Sequence, residues 1–266
     1  MKKISILSIP IADTTKKEFV NTVTKQNGQA WIVTANPEII MLAKELPHYK
    51  NLLLDADYVV ADGIGVVIGS KLLGHPLKER IPGYELVHEF LAVASAVGVH
   101  KGQSAEADSA NNRQSTHSNS QAIGARNKIF MYGGKPGIAA KAAEMAKAQY
   151  ANIDIVGVAD GYGGDGNGDE VAAKAAALTP DYVFVALGAP KQEEWIAAHR
   201  DQFPYAILMG VGGSFDILSG NINRAPDIFL KLNLEWFHRL VTQPTRLIRM
   251  LKIPQFLLAV LKTRRK

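Results

Sequence analysis

The sequence predicts an α/β fold, a mostly parallel sheet with helices on both faces. Three observations predict it. Short β-rich runs alternate with helical patterns along nearly all of the 266 residues. Most polar motifs fall where such a run ends and a helix begins, the place where parallel sheets present their loops. Finally, a composition of 47% hydrophobic and 21% charged residues is that of a packed globular interior, and no apolar run reaches the roughly 18–20 residues that cross a bilayer.

The first strand is read at Ile4–Ile9. Its apolar stretch is short and lacks a small-residue cleavage site, so it reads as a strand rather than a secretion signal. Strand Trp31–Thr34 leads into helix Pro37–Lys44, with Asn36 as N-cap and Pro37 in the first turn. Strand Tyr58–Ala61 leads through Asp62-Gly63 into helix Ile64–Leu73, and another helix is read at Tyr84–Val97. In the second half, strands Lys128–Tyr132, Asp154–Val158, Tyr182–Leu187 and Ala206–Val211 alternate with helices Ile138–Ala148, Glu170–Leu178 and Gln192–Arg200. Between the halves, residues 100–127 are rich in Ser, Asn, Gln and Ala and nearly devoid of large apolar side chains. They read as a disordered low-complexity insertion. The domain expectation is an α/β domain over residues 1–220 and a C-terminal appendage over 221–266.

The absence of cysteine excludes disulfides and thiolate chemistry and fits a cytoplasmic address. A net charge of +5 is unevenly spread. From Lys231 onward Glu235 is the only acid, against Lys231, Arg239, Arg246, Arg249, Lys252, Lys262, Arg264, Arg265 and Lys266. A polyanionic partner is implied. Trp236, Phe237, Leu240, Leu247, Ile248 and Leu251 interleave with these cations, which favours an anionic lipid interface. Nucleic acid is disfavoured, because no helix-turn-helix, OB or RRM pattern accompanies the charge. The competing reading is a core-packing helix with a solvated basic end.

Candidate chemistry gathers at strand ends. Capping explains Asn36-Pro37-Glu38 but not Thr34, whose hydroxyl would face the presumed cleft. Asp62 follows a strand and is flanked by Gly63 and Gly65. That is how a general base is presented, although Asp-Gly is also a common turn. Arg80 in Arg80-Ile81-Pro82-Gly83 offers a guanidinium with no obvious local partner. Gly133-Gly134-Lys135-Pro136-Gly137 and Asp160-Gly161-Tyr162-Gly163-Gly164 are glycine turns that let a ligand approach backbone, with Tyr162 a stacking candidate. Calcium at Asp160, Asp165, Asn167 and Asp169 fails the loop-spacing test, and His100 and His117 lack ligand spacing, so no metal site is assigned. In Gly188-Ala189-Pro190-Lys191-Gln192-Glu193-Glu194-Trp195 the acids suit the helix dipole, Trp195 packs the helix, and Lys191 and Gln192 remain as donors. The stretch Ile207–Arg246 joins a buried strand, a Val211-Gly212-Gly213 turn, Asp216 and a row of arginines suited to phosphate.

Taken together, TANPE, ADGIG, RIPG, YGGKPG, GAPKQEEW and GVGGSFDILSGNINRAP…LEWFHRL…QPTR resemble the WecG/TagA/CpsF glycosyltransferases of bacterial surface-polymer synthesis, from about residue 4 to residue 250. The resemblance implies a Rossmann-like α/β domain with a C-terminal membrane-docking appendage, peripheral to the inner face of the plasma membrane. It also implies metal-independent, inverting transfer of an N-acetylmannosamine-type sugar from a UDP donor to polyprenyl-diphosphate-linked N-acetylglucosamine. In the TagA-like branch this builds the linkage unit of wall teichoic acid. Carried onto this chain, it makes Asp62 the base for the acceptor 4-hydroxyl. Thr34 and Asn36 would position the sugars, and Arg80 and Gln192 would offset diphosphate charge. Gly133 and Gly134, the Asp160-Gly161-Tyr162 turn, and Val211, Gly212 and Asp216 would hold the UDP-sugar. Arg224, Arg239, Arg246 and Arg249 would reach the acceptor's diphosphate. UDP-sugar serves as co-substrate, and no cofactor is expected.

Two alternatives accompany this reading. One is a CpsF- or WecG-like transferase of capsule or surface polysaccharide with a different UDP-sugar. The other is a non-catalytic nucleotide-sugar binding protein. NAD is disfavoured, because the glycine fingerprint and its following acid are missing after the first strand.

Overall fold

Alternate residues of each central strand point to opposite faces, so a strand that is apolar throughout needs cover on both. The computed structural model describes residues 1–108, 126–162, 168–242 and 250–264. A parallel sheet is built from β3 (Ala30–Ala35), β4 (Tyr58–Ala61), β5 (Lys128–Gly133), β6 (Asp154–Ala159), β7 (Tyr182–Ala186) and β8 (Ile207–Gly210). Its order is β4-β3-β8-β7-β5-β6, and every pairing is parallel. The predicted α/β class is therefore the observed one.

On one face Val33, Val183, Val185 and Leu208 meet α2 (Pro37–Glu45), α3 (Pro47–Asp55), α4 (Ile64–Leu72), α7 (Asp169–Ala177) and α8 (Lys191–His199). On the other face Ile32, Met131, Phe184 and Met209 meet α1 (Lys16–Lys25), α5 (Gly83–Asp108), α6 (Ile138–Gln149) and the short α9 (Ser214–Leu218).

The strand expected at Ile4–Ile9 is instead an antiparallel hairpin of β1 (Lys3–Ile6) and β2 (Ile9–Ala12), outside the main sheet. Leu7 and Ser8 take φ of 50° and 70° and reverse the chain as a two-residue hairpin turn does. Neither is a usual residue for such a turn, which hides it in the sequence. Helix α1 also went unread, although Thr15 and Glu18 form a reciprocal capping box at its start.

The low-complexity segment begins later than predicted, because α5 runs through Asp108. It also ends earlier. The Arg126 Nη2 donates to the Gln26 and Gly28 carbonyls at 3.0 and 2.8 Å, and the Asn127 N–H donates to Asp181 at 2.9 Å. The disorder expected between these anchors concerns residues 109–125, which lie outside the described residues.

Residues 221–266 are not one appendage. α10 (Asp227–Lys231) and α11 (Glu235–Thr242) lie at the surface, with Val241 67% and Phe237 44% exposed. The last helix, α12 (Lys252–Arg264), packs across α2 and α4 and places Phe256 and Val260 in the core at 0% exposure. A Cβ at Gly69 would lie 2.8 Å from the Phe256 ring, so α4 meets that ring at a position without a side chain.

Candidate active site

Because the strands are parallel, their carboxyl ends share one edge of the sheet. The ends of β3, β4, β7 and β8 open onto a cavity of about 260 Å³, lined by Thr34, Asn36, Asp62, Arg80, Gln192, Val211 and Gly212. Asn233, Glu235 and Trp236 from the α10–α11 segment cover it, with Met250 and Ile253 beside them. Sequence positions far apart are thus brought together, and α11 adds a wall that strand-end reasoning did not contain.

Asp62 extends the ladder of β4, its N–H donating to the Ala35 carbonyl at 2.9 Å. Its Oδ1 accepts the Gly83 N–H at 3.2 Å, which orients the carboxylate at the start of α5. Gly63 and Gly65 are there for space. Added Cβ atoms would lie 2.8 and 2.6 Å from the Pro37 ring, so only glycine lets the α4 entrance pack against Asn36-Pro37. Thr34 is buried, donates to the Gly210 carbonyl at 3.3 Å, and packs against Gly83. Asn36 caps α2 by accepting the Ile39 N–H at 3.0 Å, so capping and cleft lining coexist in one residue.

Gln192 lines the cavity but is only 3% exposed. Its Nε2 donates to Glu193 Oε1 at 2.7 Å, and its Oε1 accepts the Gly212 N–H at 3.0 Å. Both ends of the carboxamide are thus engaged by protein groups. Glu193 stands in the first turn of α8, where an acid suits the helix dipole, but it is also 1% exposed and accepts from the Tyr49 hydroxyl at 3.0 Å. Burial pushes its carboxyl up to about 7, against hydrogen bonds from Gln192 and Tyr49 that hold it down. No sequence signal separates Glu193 from the exposed Glu194. Trp195 packs as expected, its Nε1 donating to the Gly168 carbonyl at 3.1 Å.

Charge concentrates at the α5 side of the mouth. The Ile81 N–H donates to the Ala61 carbonyl at 2.7 Å and so fixes Arg80 beside Asp62 at the end of β4. Arg80 is not without partners: it lies 3.8 Å from Glu235 and 4.0 Å from Glu85. Glu85 also binds Lys16 and Arg224, each at 2.9 Å. Burial would raise the Glu85 carboxyl, but the Lys16 and Arg224 contacts hold it below the usual range. The Arg224 guanidinium sits 4.8 Å over the Tyr84 ring, and Tyr84 lines the cavity.

The other predicted nucleotide residues divide. Gly133, Gly134, Asp160, Gly161 and Tyr162 do not line this cavity but stand at the ends of β5 and β6. The Gly134 N–H donates to the Ala186 carbonyl at 3.0 Å and the Gly161 N–H to the Gly134 carbonyl at 2.9 Å. A Cβ at Gly133 would lie 2.5 Å from the Ala186 backbone, in addition to its φ of 121°. These turns therefore stand against Ala186 and Leu187 at the end of β7, at the point where connections from β5 and β7 run in opposite directions. Asp160 binds the N–H of Tyr162, whose ring is 73% exposed. Asp216 does not line the cavity and accepts from Asn221 at 3.2 Å.

Arg246, Arg249, His117, Asp165 and Asn167 lie outside the described residues, as does the Arg239 side chain. Asp169 pairs with His199 at 3.3 Å. Among the described residues no three His, Cys, Asp or Glu side chains are grouped to hold a metal ion.

The glycosyl transferase WecG/TagA/CpsF family matches residues 4–102 and 111–266. The chain belongs to this family. The gap between its two matched stretches falls within the stretch of residues 100–127 that is rich in Ser, Asn, Gln and Ala. A relative from Bacillus spizizenii is 41% identical over all of this chain and 93% of its own length. One from Bacillus subtilis is 37% identical, covering 98% of this chain and 92% of the relative. A third, from Staphylococcus aureus, is 36% identical, covering 99% and 94%. All three carry the name N-acetylglucosaminyldiphosphoundecaprenol N-acetyl-beta-D-mannosaminyltransferase. The family membership makes the chain a glycosyltransferase, and its strand-end cavity is the candidate active site.

Proposed function

We propose that the chain transfers N-acetylmannosamine from UDP to the 4-hydroxyl of polyprenyl-diphosphate-linked N-acetylglucosamine, with inversion, in wall teichoic acid linkage-unit synthesis. One observation carries this reading: Asp62, Thr34, Asn36 and Arg80 meet at one cavity in a chain matched nearly end to end by enzymes named for that transfer. Asp62 takes the proton of the acceptor hydroxyl as its oxygen bonds to the anomeric carbon, and the bond from that carbon to UDP breaks on the opposite side. Thr34 and Asn36 position the sugars. Arg80 exchanges carboxylate partners for phosphate and offsets the charge on the leaving diphosphate. The Gly133-Gly134 and Gly161 turns, next to Gly188, give the nucleotide a backbone-lined bed. Arg224 faces the acceptor side.

No helix among the described residues is long and apolar enough to cross a membrane. Exposed Ile228, Leu232, Phe237 and Val241 beside Lys231 support docking of α10–α11 on an anionic lipid surface, which would bring the lipid-linked acceptor to the cavity mouth.

The test is radiolabel transfer from a panel of UDP-sugars to a short-chain polyprenyl-diphosphate N-acetylglucosamine, run in EDTA. Product from UDP-N-acetylmannosamine alone is expected. Transfer of another sugar would favour the capsule-type alternative, and UDP binding with no transfer would favour a binding protein. A strict need for added magnesium or manganese would overturn metal-independent charge compensation by arginine.

A further inference from the structure

Glu193 does not line the cavity, yet it stands directly behind the wall. It accepts from Tyr49 Oη at 3.0 Å and from Gln192 Nε2 at 2.7 Å, while Gln192 Oε1 accepts the Gly212 N–H at 3.0 Å. A carboxamide has a donor end and an acceptor end of nearly equal shape, so its partners decide which end points where. Reversing Gln192 would set its NH₂ against the Gly212 N–H and its oxygen against the Glu193 carboxylate. The mismatch at Glu193 would be fully buried and the one at Gly212 partly so, where unmet polar groups are costly. The pair also has no slack: a Cβ at Gly210 would lie 2.5 Å from Gln192 Nε2 and 3.0 Å from Glu193 Oε1.

We infer that Glu193 is a positioning residue. Held by Tyr49, it fixes the Gln192 carboxamide so that the amide oxygen restrains the Gly212 N–H, and with it the Val211–Gly213 turn that forms the cavity wall. Its consequence for catalysis rests on the transferase reading above, with this wall on the donor side.

The full-length protein, labelled with ¹⁵N-glycine, allows both the restraint and its consequence to be measured. Glu193→Met keeps volume but removes the acceptor, whereas Glu193→Gln can keep it. In Glu193→Met the Gly212 amide should exchange with solvent about tenfold faster or more, and in Glu193→Gln at near the unaltered rate. Donor KM should rise about tenfold in Glu193→Met, the equivalent of one hydrogen bond, with kcat changed less than about threefold. Gln192→Met should give the same KM shift, and combining the two substitutions should add nothing, because both act on one chain of contacts.

Unchanged Gly212 exchange in a folded Glu193→Met protein overturns the inference, as do KM effects that multiply in the double variant. Should Glu193→Met not fold, Tyr49→Phe removes only the hydroxyl donor and carries the same readouts, with a KM rise of about two- to threefold. Unchanged Gly212 exchange and KM there would overturn it equally. If the unaltered chain transfers no sugar, the functional reading fails, and Gly212 exchange alone decides the role of Glu193.

Discussion

Arg80 and Glu235 stand 3.8 Å apart, each side chain less than a fifth exposed at 18% and 15%, and so join the end of β4 to the first residue of α11. The contact closes the mouth of the cavity with a surface helix that otherwise has few buried apolar anchors. Glu235→Ala should loosen α11, with trypsin cutting at Lys231 or Arg239 about five- to tenfold faster. Cleavage kinetics followed by mass spectrometry would show this. An unchanged rate would mean that α11 is held by its apolar contacts alone.

Asp62 carries the heaviest chemical role assigned here. Asp62→Asn keeps size and an oxygen acceptor for the Gly83 N–H but removes basicity. Turnover should fall by roughly 10²–10⁴-fold while UDP binding by calorimetry changes little. Near-unaltered turnover in the purified variant would remove Asp62 from the mechanism.

The C-terminal region divides into two testable roles. If residues 221–266 were a separate appendage, a truncation after Val241 would leave a folded protein. The structure contradicts this, because Phe256 and Val260 of α12 fill the core over α2 and α4. Phe256→Ala should lower stability by about 3–5 kcal/mol, measured by denaturant unfolding. By contrast, Phe237→Ser with Val241→Ser should leave the melting temperature nearly unchanged and reduce sedimentation with anionic liposomes. Equal liposome binding would defeat the docking role of α11.

Glu193 should make stability pH-dependent. Its folded carboxyl is raised to about 7 from 4.5, so the folded state holds a proton that the unfolded chain has released between those values. The contribution is complete below the unfolded value and is lost as pH rises through about 7, at up to roughly 1.4 kcal/mol per pH unit. Thermal melts of the unaltered protein and Glu193→Gln from pH 5 to pH 8 isolate this effect, since other titrations are shared. The unaltered protein should lose ground to the variant as pH rises. Parallel curves would show that Glu193 titrates as an ordinary carboxylate.

Much of the sheet was legible in the sequence. Tyr58–Ala61 was bounded as observed, and the places of Asp62, Thr34 and Asn36 at strand ends were legible because a strand end followed by a glycine turn or an N-cap is a local pattern. The β1–β2 hairpin is hidden in the sequence because Leu7 and Ser8 give no turn signal, whereas the Thr15–Glu18 capping box of α1 is a local pattern that the sequence does carry.

Local order along the chain therefore determined the α/β alternation, the strand-end placement of Asp62, and the motifs that identify the family. Only the tertiary structure decided that Glu193 is buried and Glu194 exposed, that Arg80 faces Glu235, and that α12 belongs to the core. The reason is distance along the chain. Tyr49 and Glu193 are 144 residues apart in sequence, and neither burial nor pairing exists for either until folding brings α3 and α8 together. Periodicity reports which face of an element is apolar. What covers that face, and which charge meets which, is set by packing between elements that carry no record of one another.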